Sequence, residues 1–155
     1  MGVLQTLARL VAEPVSEPYA ALQEAYVGVV TRARSLARNA ARAPQSHSRD
    51  ALQRIGAAET AAAERVANVL RGAGRVVSTP TETPPSPGGL NHWRRLVQLL
   101  EAHRAAEQDA RELSVRFAET HPAIATVFDE LRGSEHTQAL ALRALIARAD
   151  ALALD

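Results

Sequence analysis

Two glutamates and a His–Glu pair give this sequence the residue types of a metal site. Glu59 and Glu135 lie in separate segments of helical apolar periodicity, and His103 stands four residues before Glu107 in a third. Residues four apart are neighbours on a helix, so this pair shares one face. Two or three carboxylate oxygens with one imidazole nitrogen suit iron, manganese or zinc. We therefore predict Glu59, His103, Glu107 and Glu135 as candidate metal ligands.

A polar network without a metal is the alternative interpretation, and we prefer it. Ionised carboxylates in a core are costly unless they find partners. In this interpretation a protonated His103 pairs with the carboxylates, and Gln138 donates a hydrogen bond to them. The expected cofactor is therefore none, with iron or manganese as the alternative.

The direction of each side chain around its helix indicates which polar groups face the core. At about 100° of rotation per residue, Glu59 and Glu135 fall within roughly 20° of the apolar direction of their helices, and Gln138 about 40° away. His136 lies roughly 120° from that direction and is predicted to face solvent. Two other glutamates lie over about 100° away and are excluded as core ligands, namely Glu24 and Glu101.

Four predicted helices must position these residues. Gly72 and Gly74 are predicted to end the second helix, and Ser48 to be its N-cap. His121 and Pro122 separate the third helix from the fourth. Apolar residues recur at helical spacing in four segments, which are residues 19–43, 49–71, 91–119 and 123–152.

The first 18 residues are predicted as a separate N-terminal amphipathic segment, and residues 19–155 as the bundle domain. Pro14 and Pro18 are expected to break the chain. Before them an apolar stripe predicts a short helix that docks on the bundle or on a partner, with Val3, Leu4, Leu7, Leu10 and Val11 on one face.

A segment rich in proline, serine and threonine, 78-STPTETPPSPGG-89, lies between the second and third helices. Such a composition does not form the interior of a helix or strand. Twelve residues at about 3 Å each span about 36 Å, the length of a long helix. The segment is therefore either a linker between two hairpins or a long crossover from one end of a bundle to the other.

Composition excludes several kinds of chemistry. The chain has no cysteine, which removes disulfides, thiolate metal sites and thiol catalysis. All 18 basic residues are arginine, so no lysine is present for a Schiff base or a phosphate-binding loop. The net charge of +1 gives no reason to expect nucleic acid or a membrane as partner. The N-terminus lacks the features of a signal peptide, and we expect a cytoplasmic protein.

The second and fourth helices match at a constant offset of 76 residues, which places Glu59 and Glu135 at the same point of two apolar stripes. This match fits the duplication of a helical hairpin. The segments 52-LQRIGAAETAAAERVANVLR-71 and 128-FDELRGSEHTQALALRALIAR-148 resemble the second and last helices of the ferritin-like superfamily, especially its rubrerythrin-type members. The resemblance covers residues 19–152. It implies an all-α antiparallel four-helix bundle with a long crossover between helices 2 and 3.

The same resemblance bears on the candidate site. In that family each hairpin supplies one Glu from its first helix and Glu-x-x-His from its second. The Glu of this motif corresponds to Glu59 and Glu135, but Ala62 and Gln138 stand at the histidine positions. The matching inward positions of the first helix carry no carboxylate, being Tyr26 and Val29. The resemblance therefore implies a degenerate metal site.

Three functions follow as hypotheses. The preferred one is a non-catalytic structural or interaction module, which forms a homo-oligomer or binds a protein partner. The alternative is a metal-binding ferritin-like protein that handles iron or takes part in peroxide or oxygen chemistry through the four candidate ligands. The third is a small-molecule pocket within the bundle, where a ligand is oriented by Tyr26, His103 and Gln138.

Overall fold

A computed structural model of the chain describes residues 2–82 and 88–149, with side chains from residue 17 onward. This part of the chain is all-helical. Its four helices are α1 (Gly2–Ala41), α2 (Ser46–Gly72), α3 (His92–Phe117) and α4 (Pro122–Ile146). The predicted all-α, four-helix class is therefore confirmed.

The helix ends follow local sequence signals, with one exception. Asn91 precedes α3, and its side chain accepts a hydrogen bond from the Arg94 backbone at 2.9 Å. At the end of α2, Gly74 has φ +70°, and the Arg75 N–H donates to the Leu70 carbonyl at 2.9 Å. A glycine in this left-handed conformation commonly ends a helix. The predicted N-cap at Ser48 is wrong, because α2 begins two residues earlier and Ser48 is buried in its first turn.

Helix α1 differs most from its prediction. Its 40 residues run without interruption from Gly2 to Ala41, so the short helix expected before Pro14 and Pro18 is not a separate element. Each proline removes one backbone donor and crowds the preceding turn, but a helix can continue through that defect. The predicted end of α4 at residue 152 lies outside the described residues, and α4 ends at Ile146.

The helices form two hairpins, α1 with α2 and α3 with α4. The contacts within each hairpin are more extensive than the contacts between the hairpins. Across the hairpins, α1 packs on α3 and α2 packs on α4. Glu17, the first residue of α1 whose side chain the structure describes, forms an ion pair with Arg116 at the end of α3. At the other end, Arg95 of α3 donates to the Arg42 carbonyl at 3.5 Å. Helices α1 and α3 are therefore antiparallel.

The segment after α2 lies along α1. Gln23 exchanges two hydrogen bonds with the backbone of Ser78, at 2.7 and 3.2 Å. Arg34, eleven positions further along α1, donates to the Pro80 carbonyl at 2.6 Å. These contacts hold the described part of the connection against the outside of the first helix.

The apolar core is divided into two clusters along the bundle axis. One cluster is built around Leu22, Val66 and Phe128, and the other around Leu36, Leu52 and Leu142. Between the two clusters, each helix contributes one charged or ionisable side chain to the interior, and these side chains form the candidate site.

The buried faces of α2 and α4 repeat at the predicted offset of 76. Nine residues are buried in each of these helices, and seven of them correspond. The pairs are Ser48 with Ile124, Leu52 with Phe128, Ile55 with Leu131, Glu59 with Glu135, Ala62 with Gln138, Ala63 with Ala139, and Val66 with Leu142.

Candidate functional site

One charged or ionisable side chain from each helix meets at the middle of the bundle. These are Arg32 of α1, Glu59 of α2, His103 of α3 and Glu135 of α4, which we call the polar layer. Glu59 and His103 are fully buried, Glu135 is 1% exposed, and the Arg32 side chain is 16% exposed. The polar layer separates the two apolar clusters of the core.

Helical spacing places each member on the inner face of its helix. Glu59 is four residues after the buried Ile55, and Glu135 is four residues after the buried Leu131. Since residues four apart lie one above the other, each glutamate continues an apolar stripe into the core. Arg32 lies three residues after the buried Val29, and its long side chain reaches inward from there.

The polar layer is a chain of hydrogen-bonded charges. Arg32 Nε donates to Glu59 Oε2 at 3.0 Å, and Arg32 Nη2 donates to Glu135 Oε1 at 2.5 Å. The other oxygen of Glu135 makes a 2.6 Å hydrogen bond with His103 Nδ1. Both oxygens of Glu135 are therefore occupied. A buried carboxylate is tolerated where such partners supply opposite charge and hydrogen bonds.

Burial changes the protonation of Glu59. Removal from water raises the pKa of Glu59 to about 7, from an ordinary value of 4.5. The Arg32 guanidinium opposes that rise, the Glu135 carboxylate adds to it, and His103 opposes it. Near neutral pH, Glu59 is therefore partly protonated.

Some buried polar atoms of this region have no hydrogen-bond partner among the described residues. They include Glu59 Oε1, His103 Nε2 and Gln138 Oε1. Gln138 itself donates from Nε2 to Ser134 Oγ at 3.0 Å rather than to a carboxylate of the polar layer. Buried polar atoms normally have a hydrogen-bond partner. Glu59 Oε1 and His103 Nε2 are therefore each able to bind a water, a proton or a cation.

Three of the four predicted ligands come together. Glu59, His103 and Glu135 each offer one ligand atom, and these atoms lie within 4.8 Å of one another. The fourth, Glu107, lies apart: its side chain is 28% exposed and accepts a 3.0 Å hydrogen bond from His136. Glu107 is one turn beyond His103, at the rim of the inner face, where it meets α4 at the surface.

The other directional predictions are confirmed. His136 is exposed, with 58% of its side chain accessible. Glu24 and Glu101 are exposed as well, so neither reaches the core.

Arg32 was missed by sequence reasoning. An available signal was charge balance, because two buried glutamates require a cation and α1 carries Arg32 between the buried Val29 and Leu36. The arginine stands on α1, which supplies neither a carboxylate nor a histidine to the cluster.

The small-molecule hypothesis named Tyr26, His103 and Gln138 as the residues that orient a ligand. Tyr26 is buried, and its hydroxyl makes a 3.1 Å hydrogen bond with Thr79 Oγ1. A cavity of about 400 Å³ lies between α1 and α3, and none of those three residues lines it. Arg32 and Glu135 lie on its wall, so the groove reaches the polar layer.

Comparison with known proteins adds no relative to this description. No protein-family model, no curated protein and no solved structure matches the chain. Within the part of the chain that the structure describes, no helix has the length and apolar character needed to cross a lipid bilayer. Fold and site thus define a four-helix, all-α protein with a charged layer across its core.

The donor set does not fit a two-metal centre. Such centres in bundles take carboxylates from both halves and two histidines. The described polar layer offers two carboxylates and one imidazole, and Arg32 already bonds both carboxylates.

Proposed function

We propose that this chain is a non-catalytic structural or interaction protein on a ferritin-like scaffold, in which an arginine has taken the place of a metal ion. The observation that carries this proposal is the position of Arg32, whose guanidinium bonds Glu59 at 3.0 Å and Glu135 at 2.5 Å. A guanidinium is permanently charged and matches the geometry of carboxylates. It supplies the positive charge that two core glutamates need.

The path of the connection after α2 supports the ferritin-like part of the proposal. Since α1 and α3 are antiparallel and each hairpin is antiparallel, α2 and α3 start at the same end of the bundle. The chain must then return along the bundle between them, and the contacts of Ser78 and Pro80 with α1 lie on such a path. A long return between the second and third helices is the connection of ferritin-like bundles.

In this proposal the polar layer fixes how the four helices align. Each helix contributes one member, so sliding a helix by one turn would separate at least one charge from its partner and bury it against apolar side chains. An unpaired buried charge is costly, and buried polar groups in helical bundles are known to specify register. The polar layer therefore specifies the register in which the two hairpins pack against each other.

The interaction role rests on the length of α1. At 1.5 Å per residue its 40 residues extend about 60 Å, against about 40 Å for the 27 residues of α2. The sequence of the extra length carries an apolar stripe from Val3 to Val11. We propose that this stripe contacts a second copy of the chain or a protein partner. Deleting residues 1–13 should reduce the number of chains per particle, measured by light scattering, or remove the partner captured in a pull-down, while circular dichroism shows that the bundle stays folded. An unchanged number of chains together with unchanged pull-down partners would refute this role. A cytoplasmic location stays a prediction, which cell fractionation tests.

Metal content tests the central claim. The full-length protein is purified without chelator and analysed by mass spectrometry, then again after anaerobic loading with Fe(II) or Mn(II). We expect no stoichiometric metal in either preparation. The matched variant Arg32→Gln removes the guanidinium and leaves all three candidate ligands, so it should gain affinity for the same ions.

A single-metal site is the second candidate, and one observation favours it. Glu59 Oε1 and His103 Nε2 are buried without partners, within a group of three possible ligands. Glu59, His103 and Glu135 could hold one iron or manganese ion for iron handling or peroxide chemistry. A stoichiometric metal that is lost in Glu135→Ala, with the fold retained by circular dichroism, would establish this candidate and refute the first.

A further inference from the structure

The groove between α1 and α3 has the size of a small-molecule site. Its volume is about 400 Å³, and pockets of about 300–1,000 Å³ hold ligands of small-molecule size. On α1 its lining runs from Ala21 to Arg32, twelve residues that span about 16 Å of helix. The groove is therefore elongated along α1.

Small side chains open this groove, and large apolar ones form its floor. The facing walls carry Ala25 and Gly28 on α1 and Ala106 on α3, which leave space between the two helices. Phe128 and Leu131 of α4 form the floor. An aliphatic chain laid along the groove would cover the partly buried apolar side chains of its walls, Ala25, Ala106 and Leu113, and gain the corresponding hydrophobic free energy.

The two edges of the groove carry unbalanced negative charge. Glu24 on α1 and Asp109 on α3 are exposed, and no described side chain pairs with either. Glu112, also on α3, accepts a 2.7 Å hydrogen bond from the neutral amide of Gln108. The pair Glu17–Arg116 fixes the level of the two helices. Glu24 lies seven residues after Glu17 on α1, and Asp109 lies seven residues before Arg116 on α3. Because the two helices are antiparallel, Glu24 and Asp109 lie at the same level and face each other across the opening.

The two arginines of the groove do not balance this charge. Arg116 at one end pairs with Glu17. Arg32 at the other end bonds Glu59 and Glu135. The edges thus attract a cation, while the guanidinium nearest the floor is already neutralised by two carboxylates.

We propose that this groove binds an aliphatic amine. The hydrocarbon chain lies against Ala25, Ala106 and Leu113, and the ammonium group lies between Glu24 and Asp109 at the opening. Charge complementarity and the apolar walls together select this class over aliphatic acids and alcohols.

Three probes of one length test the proposal: hexylamine, hexanol and hexanoate, titrated into the full-length protein by isothermal titration calorimetry at low salt. We expect one equivalent of hexylamine to bind about fivefold more tightly than hexanol, because exposed carboxylates contribute modestly. Hexanoate should bind most weakly. Added salt should weaken hexylamine selectively, since the ions screen exposed charges. Tightest binding of hexanoate, or no binding of hexylamine, would overturn the proposal.

Matched variants locate the site. Replacing both edge carboxylates, Glu24→Gln with Asp109→Asn, should reduce hexylamine affinity about fivefold. The control Glu101→Gln with Glu130→Gln removes the same charge from exposed positions outside the groove and should leave affinity unchanged. Ala106→Leu should fill the groove and abolish binding while the melting temperature shows that the bundle is folded. Equal affinities in the edge variant and the control, or full binding by folded Ala106→Leu, would refute this location.

Discussion

Replacing Glu59 by glutamine should change how the stability of the protein depends on pH. Glu59 is fully buried, and burial raises the pKa of its carboxyl to about 7, against an ordinary value of 4.5. Glutamine keeps an oxygen that can accept the hydrogen bond from Arg32 Nε, but it carries no charge at any pH. The difference in unfolding free energy between wild type and Glu59→Gln therefore isolates the titration of this one group.

The sign of the effect follows from linkage between proton binding and folding. Because the pKa of Glu59 is higher in the folded protein, the folded state binds its proton more tightly than the unfolded chain does. The stabilisation is fully present below pH 4.5 and is lost as the pH rises through about 7. The change in pKa from 4.5 to about 7 corresponds to a loss of about 3 kcal/mol, at 1.36 kcal/mol for each pKa unit.

Urea unfolding of both proteins from pH 5 to pH 8 measures this quantity, with circular dichroism as the readout. From pH 5 to pH 8 the stability of the variant relative to the wild type should rise by about 2.5 kcal/mol. The control Glu130→Gln, at an exposed position of α4, should follow the wild type at every pH. A difference between wild type and Glu59→Gln that does not change with pH would refute the raised pKa, and with it the assigned environment of Glu59.

Three further predictions use the same unfolding assay. Arg32→Gln should cost about 3 kcal/mol because it leaves two buried carboxylates without their cation, whereas Arg71→Gln, which removes an exposed pair, should cost less than about 1 kcal/mol. Gly133→Ala should stabilise α4 by about 1 kcal/mol, but Gly28→Ala should gain less, since its Cβ would lie 3.3 Å from the Arg32 guanidinium. Phe128→Ala should cost about 3–5 kcal/mol through the cavity it leaves. Equal losses for the two arginines, equal gains for the two glycines, or a near-neutral Phe128→Ala would each contradict the packing described.

Sequence periodicity was sufficient to predict the four helices and most of the inner faces. Amphipathic helices must bury their apolar stripe, so the spacing of apolar residues carries the information needed. The offset of 76 between α2 and α4 was predicted in the same way, and it places Glu59 and Glu135 at corresponding buried positions. The continuous course of α1 was not predicted, since a proline lowers helical propensity without forbidding a helix to continue.

The polar layer was likewise predictable from the sequence in part. The sequence determined that Glu59, His103 and Glu135 point inward, because direction around a helix depends only on position along it. Only the tertiary structure decided what they meet: Arg32 bonds both carboxylates, and Glu107 leaves the cluster for His136 at the surface. The physical reason is that helical phase is a local property. The partner of a charge depends instead on the height and separation of neighbouring helices and on the reach of a long side chain.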